Sequence, residues 1–473
     1  MRRVSSLIAG KPVVGTRAHE VRAPYDGRVV TEASMGDRAM LNSAISVALS
    51  ACEVMRRMRP FERAAILERF AELAAECREE FATMLCEEAG KPVGLGLQEA
   101  DRCVATIRDA AYWAAHPVSE LLPLDGVVHG TGRQGILKRF PIGAVAAITP
   151  FNFPLNLVAH KMAPAIAAGC PMVLKPASQT PSCAVRMAEL AIAAGVPPEG
   201  INVVLASGAD AELLVTDERI RMVTFTGSAE VGWGIKARCG KKKVALELGG
   251  NAGAIVERDA DLPYAAQRVA MGGFAYAGQS CISVQRVFVQ ESVAPEFEAA
   301  LVAAADAMIA GDPADPATMC GPLIDAANAA RVEQWIAAAV KRGARVLAGG
   351  TRAGSVVRPT VLANAPADCD VNCSEVFGPV VTVTRYREFD EALAMVNDTH
   401  FGLQAGVFTN DLRLVWRAYE EIETGGVIHN DVPTFRVDAM PYGGIKDSGM
   451  GREGARWAIE EMTEPKLLVL KVG

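Results

Sequence analysis

Eleven cysteines are scattered along the 473-residue chain, and one, Cys281, stands among residues that suit a nucleophile better than a core thiol. It lies in Gly278-Gln279-Ser280-Cys281-Ile282-Ser283. Small, polar neighbours leave a thiol accessible, whereas buried structural cysteines usually sit among aliphatic residues. Glu247, in Leu246-Glu247-Leu248-Gly249-Gly250, is a lone carboxylate at the apolar end of a predicted strand. Burial there raises a carboxyl pKa toward general-base duty, while a lysine partner would make the residue structural. Asn152 lies between Phe151 and Phe153, before Pro154, at a strand exit. Its amide has the donors an oxyanion needs, or it satisfies the backbone of a turn. A thiol, a carboxylate and an amide donor are together sufficient for covalent acyl transfer.

Two segments are candidates for phosphate recognition. Gly130-Thr131-Gly132-Arg133-Gln134-Gly135 matches G-x-G-x-x-G, but β-like residues and then Pro141 follow it. No helix N-terminus is then available to face a pyrophosphate, and the match reads as chance. Phe225-Thr226-Gly227-Ser228 ends a predicted strand and opens a helix. Thr226 or Ser228 can cap that helix, Gly227 permits close approach, and free amides can meet a phosphate, although an ordinary helix cap has the same pattern. Cys369 and Cys373 have C-x3-C spacing without a second pair or a histidine cluster, so they read as loop thiols and no metal is expected.

These residues need elements to position them. Ile66, Phe70, Leu73, Cys77, Phe81 and Met84 recur at helical spacing, which predicts one amphipathic helix from Pro60 to a stop at Gly90. A second helix is predicted over about Glu99 to Ala115. Glu120 to Phe140 has β-type runs and four glycines, an arm or hairpin outside the main core. From Gly143 short β-rich runs alternate with helical ones: Ala144–Thr149 and Leu155–Ala168, Met172–Lys175 and Cys183–Ala194, Asn202–Leu205 and Asp210–Val215, Met222–Phe225 and Ala229–Cys239, then Val244–Leu248. Such alternation predicts a parallel sheet with helices on both faces, whose ligands bind at the strand C-terminal ends. A similar pattern resumes after Asn251 and runs to about Met450. The tail Lys466–Val472 reads as an apolar edge strand suited to pairing with another subunit.

The formal charge of −7 and the lack of a Lys/Arg block argue against nucleic acid or an anionic membrane as partner. The best apolar stretch, Gly143–Ala159, contains Pro150, Pro154, Asn152 and Asn156, which excludes a membrane span. The N-terminus reaches Lys11 after too short an apolar segment for a signal peptide, so the expected compartment is the cytosol, with most cysteines reduced.

Taken together, the motifs resemble the aldehyde dehydrogenase superfamily, from about residue 20 to the C-terminus and in family order. Thr149-Pro150-Phe151-Asn152-Phe153-Pro154 looks like the family's Asn motif, and Val173-Leu174-Lys175-Pro176-Ala177-Ser178 like its ribose-binding turn. Phe225-Thr226-Gly227-Ser228 looks like its pyrophosphate helix and Glu247-Leu248-Gly249-Gly250 like its general-base motif. Gly278-Gln279-Ser280-Cys281 resembles the nucleophile loop, and Glu375-Val376-Phe377-Gly378-Pro379 the nicotinamide-ribose segment. The resemblance implies Cys281 as nucleophile, Glu247 as base, and Asn152 with the Cys281 N–H as oxyanion hole. It implies cofactor contacts from Thr149, Pro150, Phe151, Lys175, Ser178, Phe225, Gly227, Ser228, Val231, Leu248, Glu375 and Phe377. Glu247 disfavours the coenzyme-A-acylating branch.

The implied architecture is α/β: two Rossmann-like parallel-sheet domains, for cofactor (1–119 and 141–248) and catalysis (249–450), and a small β oligomerisation arm (120–140 and 451–473). Dimers or tetramers are implied. Many NAD-preferring relatives carry a glutamate where Ser178 stands, so NADP is expected to be accepted beside NAD. The segment from Gly425 to Lys446 resembles the branch of lactaldehyde, non-phosphorylating glyceraldehyde-3-phosphate and phosphonoacetaldehyde dehydrogenases. By that resemblance Arg102 and Arg436 hold a substrate anion, with His160 lining the same pocket. Ser280 replaces the arginine that phosphate users carry there, which leaves small hydroxy- or carboxy-aldehydes open. A cofactor-free cysteine esterase and a catalytically silent homologue are the rival readings.

Overall fold

The alternation after Gly143 is present as a parallel sheet in a computed structural model that describes residues 1–472. Its five central strands are Val145–Ile148, Met172–Lys175, Ile201–Val203, Met222–Thr226 and Lys243–Glu247. The first lies in the middle, with the second and third on one side and the fourth and fifth on the other. A crevice therefore opens between Val145–Ile148 and Met222–Thr226, where the winding reverses and where such sheets bind ligands. Register aligns the strand ends: Ile148 pairs with Lys175 and with Phe225, and Thr226 pairs with Glu247.

A second sheet has seven strands in the order Arg345–Ala348, Thr360–Ala363, Val380–Tyr386, Arg286–Gln290, Gly253–Val256, Gln404–Phe408, Gly426–His429. All its pairings are parallel except that of the outermost Arg345–Ala348. The two sheets meet at Glu247-Leu248-Gly249-Gly250. There Gly449–Met450, from far along the chain, pairs antiparallel with Leu246–Glu247. Leu248 N–H donates to the Ser448 carbonyl (3.0 Å), and Ser448 Oγ donates to the Gly249 carbonyl (2.7 Å). Only glycine fits at 449: φ is +139°, and an added Cβ would come to 2.1 Å from the Leu246 oxygen.

Three features differ from the sequence expectation. The helical run from Pro60 divides at Cys77 into Pro60–Glu76 and Arg78–Ala89. Both halves pack on Val93–Ala115, and the break turns the second so that it also reaches the strands Arg17–Arg22 and Val29–Met35. The next helix begins earlier than expected, at Val93. The N-terminal segment holds four strands that no helical or apolar period revealed, and Arg2–Ile8 joins the cofactor-side sheet through Leu7 and Val203. Its sequence, RRVSSLI, lacks a clean alternation because it is part-exposed.

Ser119–Pro123, Arg133–Pro141 and Thr463–Lys471 form a separate three-stranded antiparallel sheet. The Gly130–Gly135 match lies in its loop and strand, with no helix after it. Leu467 to Leu470 on the outer strand are 37–54% exposed. Among the described residues no helix is long and apolar enough to cross a membrane, and the eleven cysteines are unpaired.

Candidate active site

Cys281 is presented by a strained loop. After the helix Leu262–Phe274 the chain passes through Tyr276, Ala277 and Gly278 with φ of 54°, 53° and 66°. Left-handed conformations cost a non-glycine residue roughly 1–2 kcal/mol, so the surroundings must impose them. Gln279 does much of this: its Nε2 donates to the carbonyls of Tyr276 and Pro322 (3.3 Å each), and its Oε1 accepts from Ile324 N–H (2.9 Å). At Gly278 an added Cβ would lie 2.3 Å from the Gly378 oxygen.

The half-buried Cys281 Sγ is 2.8 Å from the Tyr442 hydroxyl. Burial pushes the thiol up to about 12, reinforced by Glu247 and Glu375 and opposed by the Tyr442 hydrogen bond. In the free site these surroundings favour the protonated thiol over the thiolate. Asn152 Nδ2 donates to the Gln279 carbonyl (3.1 Å), which ties the Asn motif to the nucleophile loop. The Cys281 N–H meets no protein acceptor among the described residues.

Glu247 is buried, and neither carboxylate oxygen has a partner. Burial, then the nearby Glu453, lifts it well above the ordinary carboxyl range. The lysine-paired alternative does not occur, because the neighbouring Lys161 bonds instead to Glu453 (3.2 Å) and Thr224 (3.0 Å). A Cβ at Gly443, the residue after Tyr442, would come to 2.7 Å from Glu247 Oε1. One turn thus brings the sulfur's partner and the carboxylate together. A cavity of about 10 Å³, roughly the room for one water, touches Glu247, Arg452 and Glu453.

A cleft of about 300 Å³ opens over the thiol, lined by Arg102, Ser280, Cys281, Arg436 and Tyr442 among others. Its cations are already matched. Arg102 grips Asp438 through Nε (3.1 Å) and Nη2 (2.8 Å). Arg268 grips Asp431 (2.7 and 3.1 Å), and Lys91 is paired with Glu99. Arg436 stacks 3.7 Å above the Tyr442 ring and donates to Glu453 (3.2 Å), but its buried Nε has no partner. His160 differs from expectation: it stands behind the cleft wall in the wholly buried helix Asn156–Ala168, with Nε2 2.9 Å from Asp438 and 3.1 Å from Arg436. Burial, then Arg436, lowers its pKa and keeps the imidazole neutral. Sequence reasoning missed Tyr442, Asp438 and Glu453. Tyr442 and Asp438 lie within the segment recognised as branch-like, but only pairing in space marks them as parts of the site.

The expected cofactor contacts gather along the strand ends that flank the crevice. Thr149 Oγ1 is buried without a partner, and Phe151 meets Phe377 edge-on at 5.9 Å. Lys175 ends its strand with no carboxylate beside it, and burial lowers it to about 8. Ser178 is half-buried in the turn that follows. Ser228 begins the helix Ala229–Arg238 without capping it, leaving its first amides free for an anion. Phe225 packs under Gly227, where a Cβ would strike its ring at 2.5 Å, and Leu248 fills the space beside Gly232. Val231 is 49% exposed on the first turn of that helix. Glu375 accepts from Gly250 N–H (3.1 Å) and is lifted by burial to about 7. An orphan hydroxyl, an unpaired lysine and an uncapped helix start at one crevice fit a dinucleotide with its pyrophosphate.

Fold and site together define a pyridine-nucleotide-dependent oxidoreductase. The aldehyde dehydrogenase family profile matches residues 13–468, and the chain belongs to that family. It is 42% identical to 3-sulfolactaldehyde dehydrogenase of Priestia aryabhattai, over 96% of this chain and 95% of that one. Among solved structures it is similar to aldehyde dehydrogenase 21 of Physcomitrella patens in complex with the reaction product succinate (TM-score 0.97, 41% identity, 99% and 98% covered). It is also similar to the glyceraldehyde-3-phosphate dehydrogenase GapN of Methanocaldococcus jannaschii complexed with NADP (TM-score 0.92, 37% identity, 96% and 100% covered). The protein is therefore an NAD(P)-dependent aldehyde dehydrogenase.

A thiol at about 12 has a measurable signature. Iodoacetamide alkylation of Cys281 in the free enzyme should climb about tenfold per pH unit across roughly pH 7–10 without a plateau. Tyr442→Phe should slow it further at each pH. A plateau below about pH 9 would show that the resting thiol is more acidic than its surroundings imply.

Proposed function

We propose that the chain oxidises a short aldehyde bearing one anionic or hydroxylated group to its carboxylic acid, through a covalent bond to Cys281. The observation that carries this reading is the cluster of Cys281, Tyr442 and unpaired Glu247 under an arginine-lined cleft.

Cys281 gives its proton to the ionised form of Glu247 as its sulfur attacks the carbonyl carbon, with Tyr442 holding the sulfur in place. The alkoxide that forms is held by Asn152 Nδ2 and the free Cys281 N–H, and loss of one such donor typically costs roughly 2.7–4 kcal/mol of barrier. An oxidised nicotinamide held in the crevice would supply the hydride acceptor needed for the Cys281 adduct to become a thioester. Once Glu247 has passed the thiol's proton to solvent through the water-sized cavity beside it, it deprotonates the water that hydrolyses the thioester and returns the water's proton to the departing Cys281 sulfur. A carboxylate without a hydrogen bond in an apolar site suits this work, because burial and the neighbouring Glu453 raise its proton affinity well above that of an ordinary carboxylate.

For the substrate, the matched cations matter more than their number. Arg102 and Arg268 each already carry a carboxylate on two nitrogens. Arg436 Nε and Thr434 Oγ1, both lining the cleft, are buried polar atoms still without partners. Together they suit one carboxylate or sulfonate better than a phosphate dianion. The named relatives agree: a sulfonated aldehyde in one and a dicarboxylate product in another. Lys175 beside neutral Ser178 supports NADP as well as NAD. The exposed apolar strand Thr463–Lys471 supports pairing with a second copy in a dimer or tetramer, and unpaired cysteines support a reducing compartment, the cytosol, which cell fractionation checks.

Arg436→Gln should lower kcat/KM for succinic semialdehyde roughly 10–100-fold while changing propanal by less than about fivefold, since a charge-assisted bond is worth about 1.5–3 kcal/mol. Equal losses for both aldehydes would remove the anchoring role. Ser178→Glu should depress NADP use about tenfold or more relative to NAD, by repulsion of the 2′-phosphate; an unaltered ratio sinks the cofactor assignment. Removal of residues from Thr463 onward should yield monomers by light scattering, and an unchanged mass would place the contact elsewhere.

A further inference from the structure

On the far side of the cofactor-side sheet, a cavity of about 310 Å³ is lined by Arg56, Arg57, Arg59, Arg63, Arg139 and Arg456. The only carboxylate on its wall is Glu460, which bonds Arg456 (3.1 Å). Six guanidiniums around one acid, in a chain whose formal charge is −7, call for an explanation.

Structural duties account for most of them. Arg57 pairs with Glu53 (2.6 Å), which Arg56 also approaches (3.9 Å). Arg139 donates to Thr463 Oγ1 (2.8 Å) and to the carbonyls of Glu460 and Thr463, closing the last turn of the helix Ala455–Glu461. Arg59 and Arg63 have no such duty. The nearest acid to Arg59, Glu62, accepts from its backbone N–H (2.6 Å). Arg63 is half-buried beside Gly169, and its Nε is buried without any acceptor.

Their position makes the cost plain. Arg59 caps the helix Pro60–Glu76 and Arg63 follows one turn later. Two cations at i and i+4 repel, and at a helix N-terminus each also opposes the helix dipole; each effect is unfavourable by a few tenths of a kcal/mol or more. An anion seated between the two guanidiniums reverses both signs. We propose that this cavity is a binding site for a phosphorylated small molecule, held by Arg59 and Arg63 and separate from the catalytic cleft. The helix Val93–Ala115 contributes Arg102 to the cleft and Trp113 to this cavity, and eleven residues of helix put about 17 Å between them. Because Arg139, Phe140 and Thr463 also line the cavity, a bound ligand bridges the β arm and the body of the subunit.

The test is calorimetric titration of the full-length enzyme with inorganic pyrophosphate at low salt, with saturating NADP present so that the cofactor crevice is filled. Saturable binding is expected, weakening with added salt and falling about tenfold or more in Arg59→Gln/Arg63→Gln. Circular dichroism checks that this variant folds, and Arg63→Gln alone, expected to weaken binding several-fold, replaces it if it does not. Absence of saturable binding, or equal binding by wild type and a folded variant, overturns the proposal. Citrate bound as tightly as pyrophosphate would overturn the phosphoryl preference.

Discussion

Two groups that prefer water, a thiol and a carboxyl, sit side by side where water is scarce, and most of this structure can be traced to that constraint. An isolated buried charge is costly, so such groups become neutral unless they are paired. Cys281 and Glu247 take the first course: both are driven toward their protonated forms by burial. Each is then ready to exchange a proton only when the reacting atoms change the local charge. Fixed partners would forfeit that readiness.

The surrounding shell takes the second course. Glu453 stays ionised because Lys161 and Arg436 face it, and Asp438 because Arg102, His160 and Asn156 Nδ2 all bind it. These pairs tie the helices Val93–Ala115 and Asn156–Ala168 to the segment from Arg436 to Glu453, so the cleft wall is held by charge as well as by packing. Buried pairs of this kind add little net stability, but removing one partner typically costs about 3–5 kcal/mol. That asymmetry favours a single arrangement of the wall. The loop carrying Cys281 obeys a similar logic: three successive left-handed residues persist because Gln279 bonds three backbone groups around them.

The alternating strands and helices from Gly143 to Leu248 were legible because each is short and regular and the central strands are buried, so apolar runs mark them. The strands before Arg38 were not, since they are part-exposed and carry charge at irregular intervals. The break at Cys77 was invisible for another reason: helical spacing continues through it, and only the neighbours on either side require the change of direction. Cys281, Glu247 and Asn152 could be singled out by their neighbours in the chain, as could the glycine and serine of the crevice. Tyr442, Asp438 and Glu453 could not, because their importance lies in what faces them.

The chain by itself determined the alternation of strands and helices in the cofactor-side sheet, the order of its motifs and the chemistry those motifs have available, since each of these is written in residues close together in sequence. Which charges are free, which are matched, and whether the thiol keeps its proton were decided only on folding. Electrostatic energy depends on distance and on the exclusion of water, and both are set by segments far apart in the chain: Cys281 beside Tyr442, Arg102 beside Asp438, Gly449 beside Leu246.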